Sequence, residues 1–363
     1  MRKFLPILFL ITLCSCEVAV NEEDVQPVNN LYFPPIASSE WETIDPISLG
    51  WDSESLEDLK DYLPESNTKA LIILKDGKIA FEEYDGEGFS NQTFTSESYW
   101  YWASAAKTLT SFLIGRTEAE GLLSLDDPTN TYLGPKWTNL TSEQENKITI
   151  RHQLFMITGL DDNVANIDCT DPECLIYMEV PEERWAYHNA PYTLLDGVIE
   201  NASGQSFDSF FNQQLRDKIG MEGFWNYAGF NHIFYSPARS MARFGLLILN
   251  KGNWDGEEIL NNPIYYESMI SSSQDINPSY GYLWWLNGKS SFKLPGLQTN
   301  FSGMISPNAP AEMFAAIGKN GQLINIVPSQ NLVVIRMGDS ADDGLVALTL
   351  QNELWEKLNS VMN

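Results

Sequence analysis

Apolar positions along the chain follow two periods, and the switches between them predict its elements. Leu56, Leu59 and Leu63 fall three or four apart, one face of a helix entered through Asp52-Ser53 and stopped at Pro64. Residues 70–74 and 79–83 are short apolar or alternating runs joined through Asp76-Gly77, which predicts a β-hairpin. The helical period returns at Leu109, Phe112 and Leu113 and closes at Glu120-Gly121, followed by a turn over 121–128 rich in residues that hydrogen-bond locally. From there to about residue 290 the pattern is mostly helical, as at 192–200, 207–218 and 238–250. Strand character comes back over 313–317, 322–327 and 332–337, with a turn at 328–331, before a final helix over 345–358. Strands at both ends with helices between them predict an α+β fold: an antiparallel sheet built from N- and C-terminal strands, flanked by helices, with an inserted mainly helical lobe.

The first residues break this pattern. Arg2 and Lys3 precede an apolar run over 4–13, too short to span a bilayer as a mature helix, and the run ends in Leu13-Cys14-Ser15-Cys16. That ending resembles a bacterial lipobox with Cys16 as the lipidated residue. The expected division is a lipoprotein signal over 1–15, a tether over 16–47, and a domain over 48–363, with a sheet lobe at 48–100 and 290–363 and a helical lobe at 101–289. The address is then the cell envelope, with the lipid holding the protein to a membrane. An exported chain meets an oxidising compartment, so Cys169 and Cys174 are expected to form a short-loop disulfide.

Charge removes one class of partner. With 22 basic and 49 acidic residues the formal net charge is -27, a surface that repels phosphate backbones and speaks against nucleic acid. Only His152, His188 and His232 are present, and there is no Cys-x-x-Cys or His-Glu-x-x-His, so no metal or cofactor is expected. Oligomeric state has no signature in the sequence.

Candidate chemistry begins at Ser104, where the aromatic run Tyr99-Trp100-Tyr101-Trp102 gives way to an Ala-rich one. On a helix opening there, Lys107 lies three residues on, one turn away on the same face. A serine hydroxyl attacks poorly unless a base takes its proton, and a lysine serves only if its pKa is lowered by desolvation or nearby positive charge. The spacing alone is weak, since Ser290 and Lys293 repeat it. Two further stretches add to it. Tyr187 and Asn189 stand two residues apart before a helix, an extended spacing that turns both side chains to one side. Gly318-Lys319-Asn320-Gly321-Gln322 lies between two predicted strands, where glycines allow close backbone approach by a ligand.

In that order, these stretches resemble the serine β-lactamase and penicillin-binding-protein superfamily, in its class C and esterase-like branch, over roughly residues 50–360. Leu125-Asp126-Asp127-Pro128, Ile148 to His152, Thr158-Gly159-Leu160 and Gly281-Tyr282-Leu283-Trp284-Trp285 are similar to its framework phrases. The resemblance implies a β-lactamase/transpeptidase-like fold and an acyl-enzyme on Ser104. It implies proton transfer shared by Lys107 and Tyr187, either of which could be the base, and Lys319 as a positive charge beside Tyr187. Asn189 would hold Lys107 or a substrate amide, and Gly321 and Gln322 would border the oxyanion hole formed by the N–H groups of Ser104 and Gln322. Asn320 and Gln322 depart from the pattern of penicillin-recognising members, so the expected substrates are small esters or linear amides, as for the branch's carboxylesterases and 6-aminohexanoate-oligomer hydrolases. The alternatives are a β-lactamase, a D-Ala-D-Ala carboxypeptidase, or a catalytically silent surface binding protein. A Ser-His-Asp triad through His188 lacks a Gly-x-Ser-x-Gly elbow.

Overall fold

In the computed structural model, residues 31–340 and 346–362 are described. The signal, Cys14, Cys16 and the expected start of the last helix at residue 345 lie outside them. Asp52 accepts a hydrogen bond from the Ser55 N–H and so caps the helix Ser53–Glu65, which buries Leu56, Leu59 and Leu63. It runs one residue past Pro64, the expected stop. The hairpin forms as the alternation predicts, from Thr68–Lys75 and Lys78–Tyr84, with Asp76 and Gly77 both at positive φ in the turn.

The first hairpin strand pairs antiparallel with Leu332–Gly338, so the two ends of the patterned chain meet inside one sheet. The strands run, in spatial order, Lys78–Tyr84, Thr68–Lys75, Leu332–Gly338, Gln322–Val327, Phe314–Gly318 and Trp285–Leu286. Every neighbouring pair is antiparallel. The sheet's two faces follow from the period of two. Val333, Ile335 and Ile324 meet the helix Ala238–Leu249, where a Cβ on Gly245 would lie 2.6 Å from Val333 Cγ1. Arg336 and Asn325 turn to the other face, toward the C-terminal helix Leu348–Met362, whose Gln351 donates to Asn325 Oδ1. The core is continuous through both lobes and includes the fully buried Trp102, Trp185, Trp284 and Trp355.

Three expectations change. The helical span also contains strands: Trp100–Tyr101, Asn231–Ser236 and Phe224–Ala228 form a second sheet, and Trp285–Leu286 supplies the edge of the main one. Helix 238–250 packs directly on the main sheet rather than within a separate lobe. The stretch assigned to a tether is part of the domain from Leu31 on. Leu31, Phe33, Trp41 and Ile44 pack against the core, and Ile44 N–H bonds the Ile79 carbonyl. Its prolines do not make it a linker, because Arg243 on the buried helix collects the carbonyls of Pro34, Pro35 and Ser38. Cys169 and Cys174 are disulfide-bonded, as expected.

Candidate active site

Ser104 is held at the junction of the two sheets. Trp100–Tyr101 pairs with Asn231–Ser236, and the Trp102 side chain is anchored by an Nε1 bond to Ser236 Oγ at 2.8 Å. The chain then turns sharply: Ala103 has φ 47°, a left-handed conformation uncommon for a residue with a Cβ, and a single 3-10 turn over Ala103–Ala106 leads into the α-helix Lys107–Ala119. Ser104 therefore sits in the tight turn before the helix, and Lys107 is the first residue of the α-helix itself. The i, i+3 relation puts Lys107 Nζ 3.2 Å from Ser104 Oγ. The second Ser-x-x-Lys pair makes no such contact, because Lys293 Nζ donates to the Gln298 carbonyl at 2.6 Å.

Lys107 is 4% exposed, and its ammonium faces the rings of Tyr192 and Tyr187 at 4.3 and 5.1 Å. Burial pulls its pKa down from 10.5 to about 7, against a smaller opposing pull from the negative charge of Asp168. It is thus a lysine that can be neutral near pH 7. Tyr187, 8% exposed, is influenced by the nearby Ser104 hydroxyl, and burial pushes its phenol well above the ordinary 10.0. It stays protonated where Lys107 already accepts a proton.

The other expected residues are placed differently. Lys319 is exposed, and it is not among the groups acting on Tyr187. Asn189 does not bond Lys107: its Nδ2 donates to Asp168 Oδ1 at 2.7 Å. Gly321 is turned toward the far face of the sheet, where a Cβ would lie 2.5 Å from Arg336 Nη1 and from Leu350 Cδ2. The Gln322 side chain is fully buried and committed to the protein, donating to the carbonyls of Lys319, Asn320 and Gly338 and accepting from the Gly338 N–H. The glycine that meets the nucleophile turn is Gly318, where a Cβ would lie 2.3 Å from the Trp102 carbonyl oxygen and 3.0 Å from the Ala105 nitrogen.

These differences share one cause that the sequence contained. Asn320 and Gly321 have φ of 64° and 73°, and they complete a three-residue turn, Lys319 to Gly321, between the paired Gly318 and Gln322; Asn-Gly is a strong hairpin signal. A turn there ends the preceding strand at Gly318 and sends Gln322 into the next. Arg336 pins it by donating to the carbonyls of Asn320 and Gly321 at 2.7 and 2.8 Å, while Asn320 Nδ2 bonds Tyr101 Oη at 2.6 Å. Asp168, Tyr192 and Asn231 also border the site, and no local signal marks them.

His188 is buried with neither ring nitrogen bonded to protein, and desolvation lowers its pKa to about 4. It makes no contact with Ser104, so the triad does not form. His152 Nδ1 accepts from the Thr149 N–H in a capping box. Trp100, Trp102, Trp284 and Trp285 are core residues. Among the described residues no group of acidic, histidine or cysteine side chains could hold a metal ion, and no helix is long and apolar enough to cross a membrane.

An uncharacterized protein of Alkalihalophilus pseudofirmus is 25% identical over 302 residues, covering 75% of this chain and 83% of that one. A solved structure of a proposed 6-aminohexanoate-dimer hydrolase of Bacillus anthracis superposes with a TM-score of 0.63 at 18% identity, over 83% of this chain and 81% of that one. A penicillin-binding protein homologue of Caulobacter crescentus superposes with a TM-score of 0.66 at 12% identity, over 89% and 99% of the two chains. These two likenesses establish the β-lactamase/transpeptidase-like fold. The family model described as Beta-lactamase matches residues 65–346, a span that contains Ser104, Lys107, Tyr187 and Lys319. The chain belongs to the beta-lactamase family.

Proposed function

We propose that the protein is a serine hydrolase of small esters or linear amides, acting through an acyl-enzyme on Ser104. The observation that carries this reading is the 3.2 Å contact between Ser104 Oγ and a buried lysine whose pKa is about 7. Neutral Lys107 takes the hydroxyl proton as Oγ bonds to the substrate carbonyl carbon. Tyr187, protonated and near Ser104, passes a proton to the departing alcohol or amine as the carbon–leaving-group bond breaks. Water then attacks the ester carbonyl carbon and gives a proton to the Tyr187 oxygen, and as the carbon–Oγ bond breaks Ser104 Oγ takes back the proton held by Lys107, which restores all three groups. The developing oxyanion is received by the Ser104 N–H and the N–H of Lys319, the peptide next to Gly318, rather than that of Gln322.

Linear substrates are favoured over β-lactams because both polar side chains of the turn are used internally. Asn320 holds Tyr101 and Gln322 holds the turn carbonyls, so neither is left to bind a ring carboxylate. We place the enzyme in the envelope, anchored by lipid on Cys16; loss of palmitate incorporation on Cys16→Ser checks this. The hydrolase reading is tested by intact mass after exposure to a fluorophosphonate. One adduct on the wild type and none on Ser104→Ala is the expected result, followed by turnover in an ester and amide screen. Rapid cephalosporin hydrolysis without ester or amide turnover would replace the substrate assignment, and no adduct on folded wild type would favour a silent binding protein.

A further inference from the structure

We propose that Asp168 is a positioning residue of this site: its carboxylate orients Asn189 and supplies a negative charge that favours the Lys107 ammonium. The inference rests on the hydrolase reading above. Asp168 lies half-buried immediately before the loop closed by the Cys169–Cys174 disulfide. Its two oxygens serve two different elements. Oδ1 accepts from Asn189 Nδ2 at 2.7 Å, at the start of the helix Asn189–Thr193, and Oδ2 accepts from Asn231 Nδ2 at 2.8 Å, at the start of the strand that pairs with Trp100–Tyr101.

A carboxylate only accepts, so each amide must present its N–H edge to it. Asn189 cannot flip while Asp168 is ionised. Its Oδ1 is thereby held on the side away from Asp168, where it is buried and has no protein partner. We assign that oxygen to an N–H donor arriving with the reaction, the Lys107 ammonium after proton transfer or a substrate amide. The groups facing Lys107 are Ser104 Oγ and the rings of Tyr187 and Tyr192, and the charged group acting on its proton is Asp168, which favours the ammonium. On the far side, Asp168 acts together with Asp161, Asp162 and Arg184 on the buried His188.

The test follows the pH dependence of Ser104 acylation by a fluorophosphonate on the full chain, beside titration of the Lys107 Nζ resonance in lysine-labelled protein. Asp168→Asn should move the acid limb and the resonance to lower pH by roughly half a unit or more, because the charge that favours the ammonium is gone. It should also lower the plateau rate about tenfold, because an amide cannot accept from both asparagines. Asp168→Glu should restore the limb but not the plateau, and Asn231→Ala should leave the limb in place. A folded Asp168→Asn with limb, resonance and plateau unmoved overturns the proposal. If Asp168→Asn does not fold, Asp168→Glu decides: a wild-type plateau overturns the positioning role. If the wild type fails to acylate while the resonance moves as stated, the hydrolase reading falls and the electrostatic link stands.

Discussion

In the proposed mechanism Lys107 sets catalysis against stability. Holding its pKa near 7 rather than 10.5 means that the folded protein binds fewer protons than the unfolded chain between those values, so stability rises with pH across that window and is lowest below it. A shift of this size costs the native state several kcal/mol when the ammonium is charged, taken as an order of magnitude. Lys107→Met should abolish acylation of Ser104 yet raise stability at pH 7 by roughly 1–3 kcal/mol. The gain over wild type should be largest below pH 7 and shrink toward pH 10, as denaturant melts at several pH values would show. In the proposed mechanism the same shift makes Lys107, rather than Tyr187, the base. Acylation should rise with pH to a plateau governed by an apparent pKa near 7, whereas a Tyr187 base would place the limb above the ordinary tyrosine value. Serine and lysine were legible in the sequence because both lie within one helical turn. The loss of solvent that lowers the lysine's pKa was not, because Tyr187 and Tyr192 reach it from eighty or more residues away.

At the scale of elements, the strand end Phe314–Gly318 meets the nucleophile turn backbone to backbone. Gly318→Ala would put a methyl 2.3 Å from the Trp102 carbonyl oxygen, a clash that no side-chain rotamer relieves. The turn carrying Ser104 must move, and acylation should slow about a hundredfold while the domain stays folded. Fluorophosphonate labelling rate beside a thermal melt separates the two effects. Substitution at Gly321 should act in the opposite proportion, through stability, because it faces the buried Arg336 guanidinium and not the serine. The sequence reading found this segment and its glycines but gave the ligand-facing roles to Gly321 and Gln322. The Asn320-Gly321 pair marks the turn, and a turn over 319–321 determines which neighbours lie on each strand.

For the whole molecule, the segment from Leu31 onward decides where the domain begins. Removing it would strip four apolar side chains from the core and leave Arg243, buried on the sheet-packed helix, without three of its carbonyl partners. A chain starting at residue 48, the boundary suggested by composition, should be less stable by several kcal/mol than one starting at residue 17, or should fail to accumulate as soluble protein. Thermal melts of the two chains make the comparison. Proline content misled here because a carbonyl-rich segment without side-chain periodicity can still dock when a buried arginine gathers its oxygens.

The sequence by itself determined what is local. Periodicity placed the hairpin Thr68–Lys75 and Lys78–Tyr84, the two strands Gln322–Val327 and Leu332–Gly338, and the buried helix Ala238–Leu249, and the three-residue spacing brought Ser104 and Lys107 together. Short strands such as Trp100–Tyr101 and Trp285–Leu286 are too brief to carry a period and exist because a partner strand satisfies their backbone. Only the tertiary structure decided the electrostatics of the site, because desolvation, the Asp168 charge and the reach of Asn189 depend on which distant segments are packed side by side.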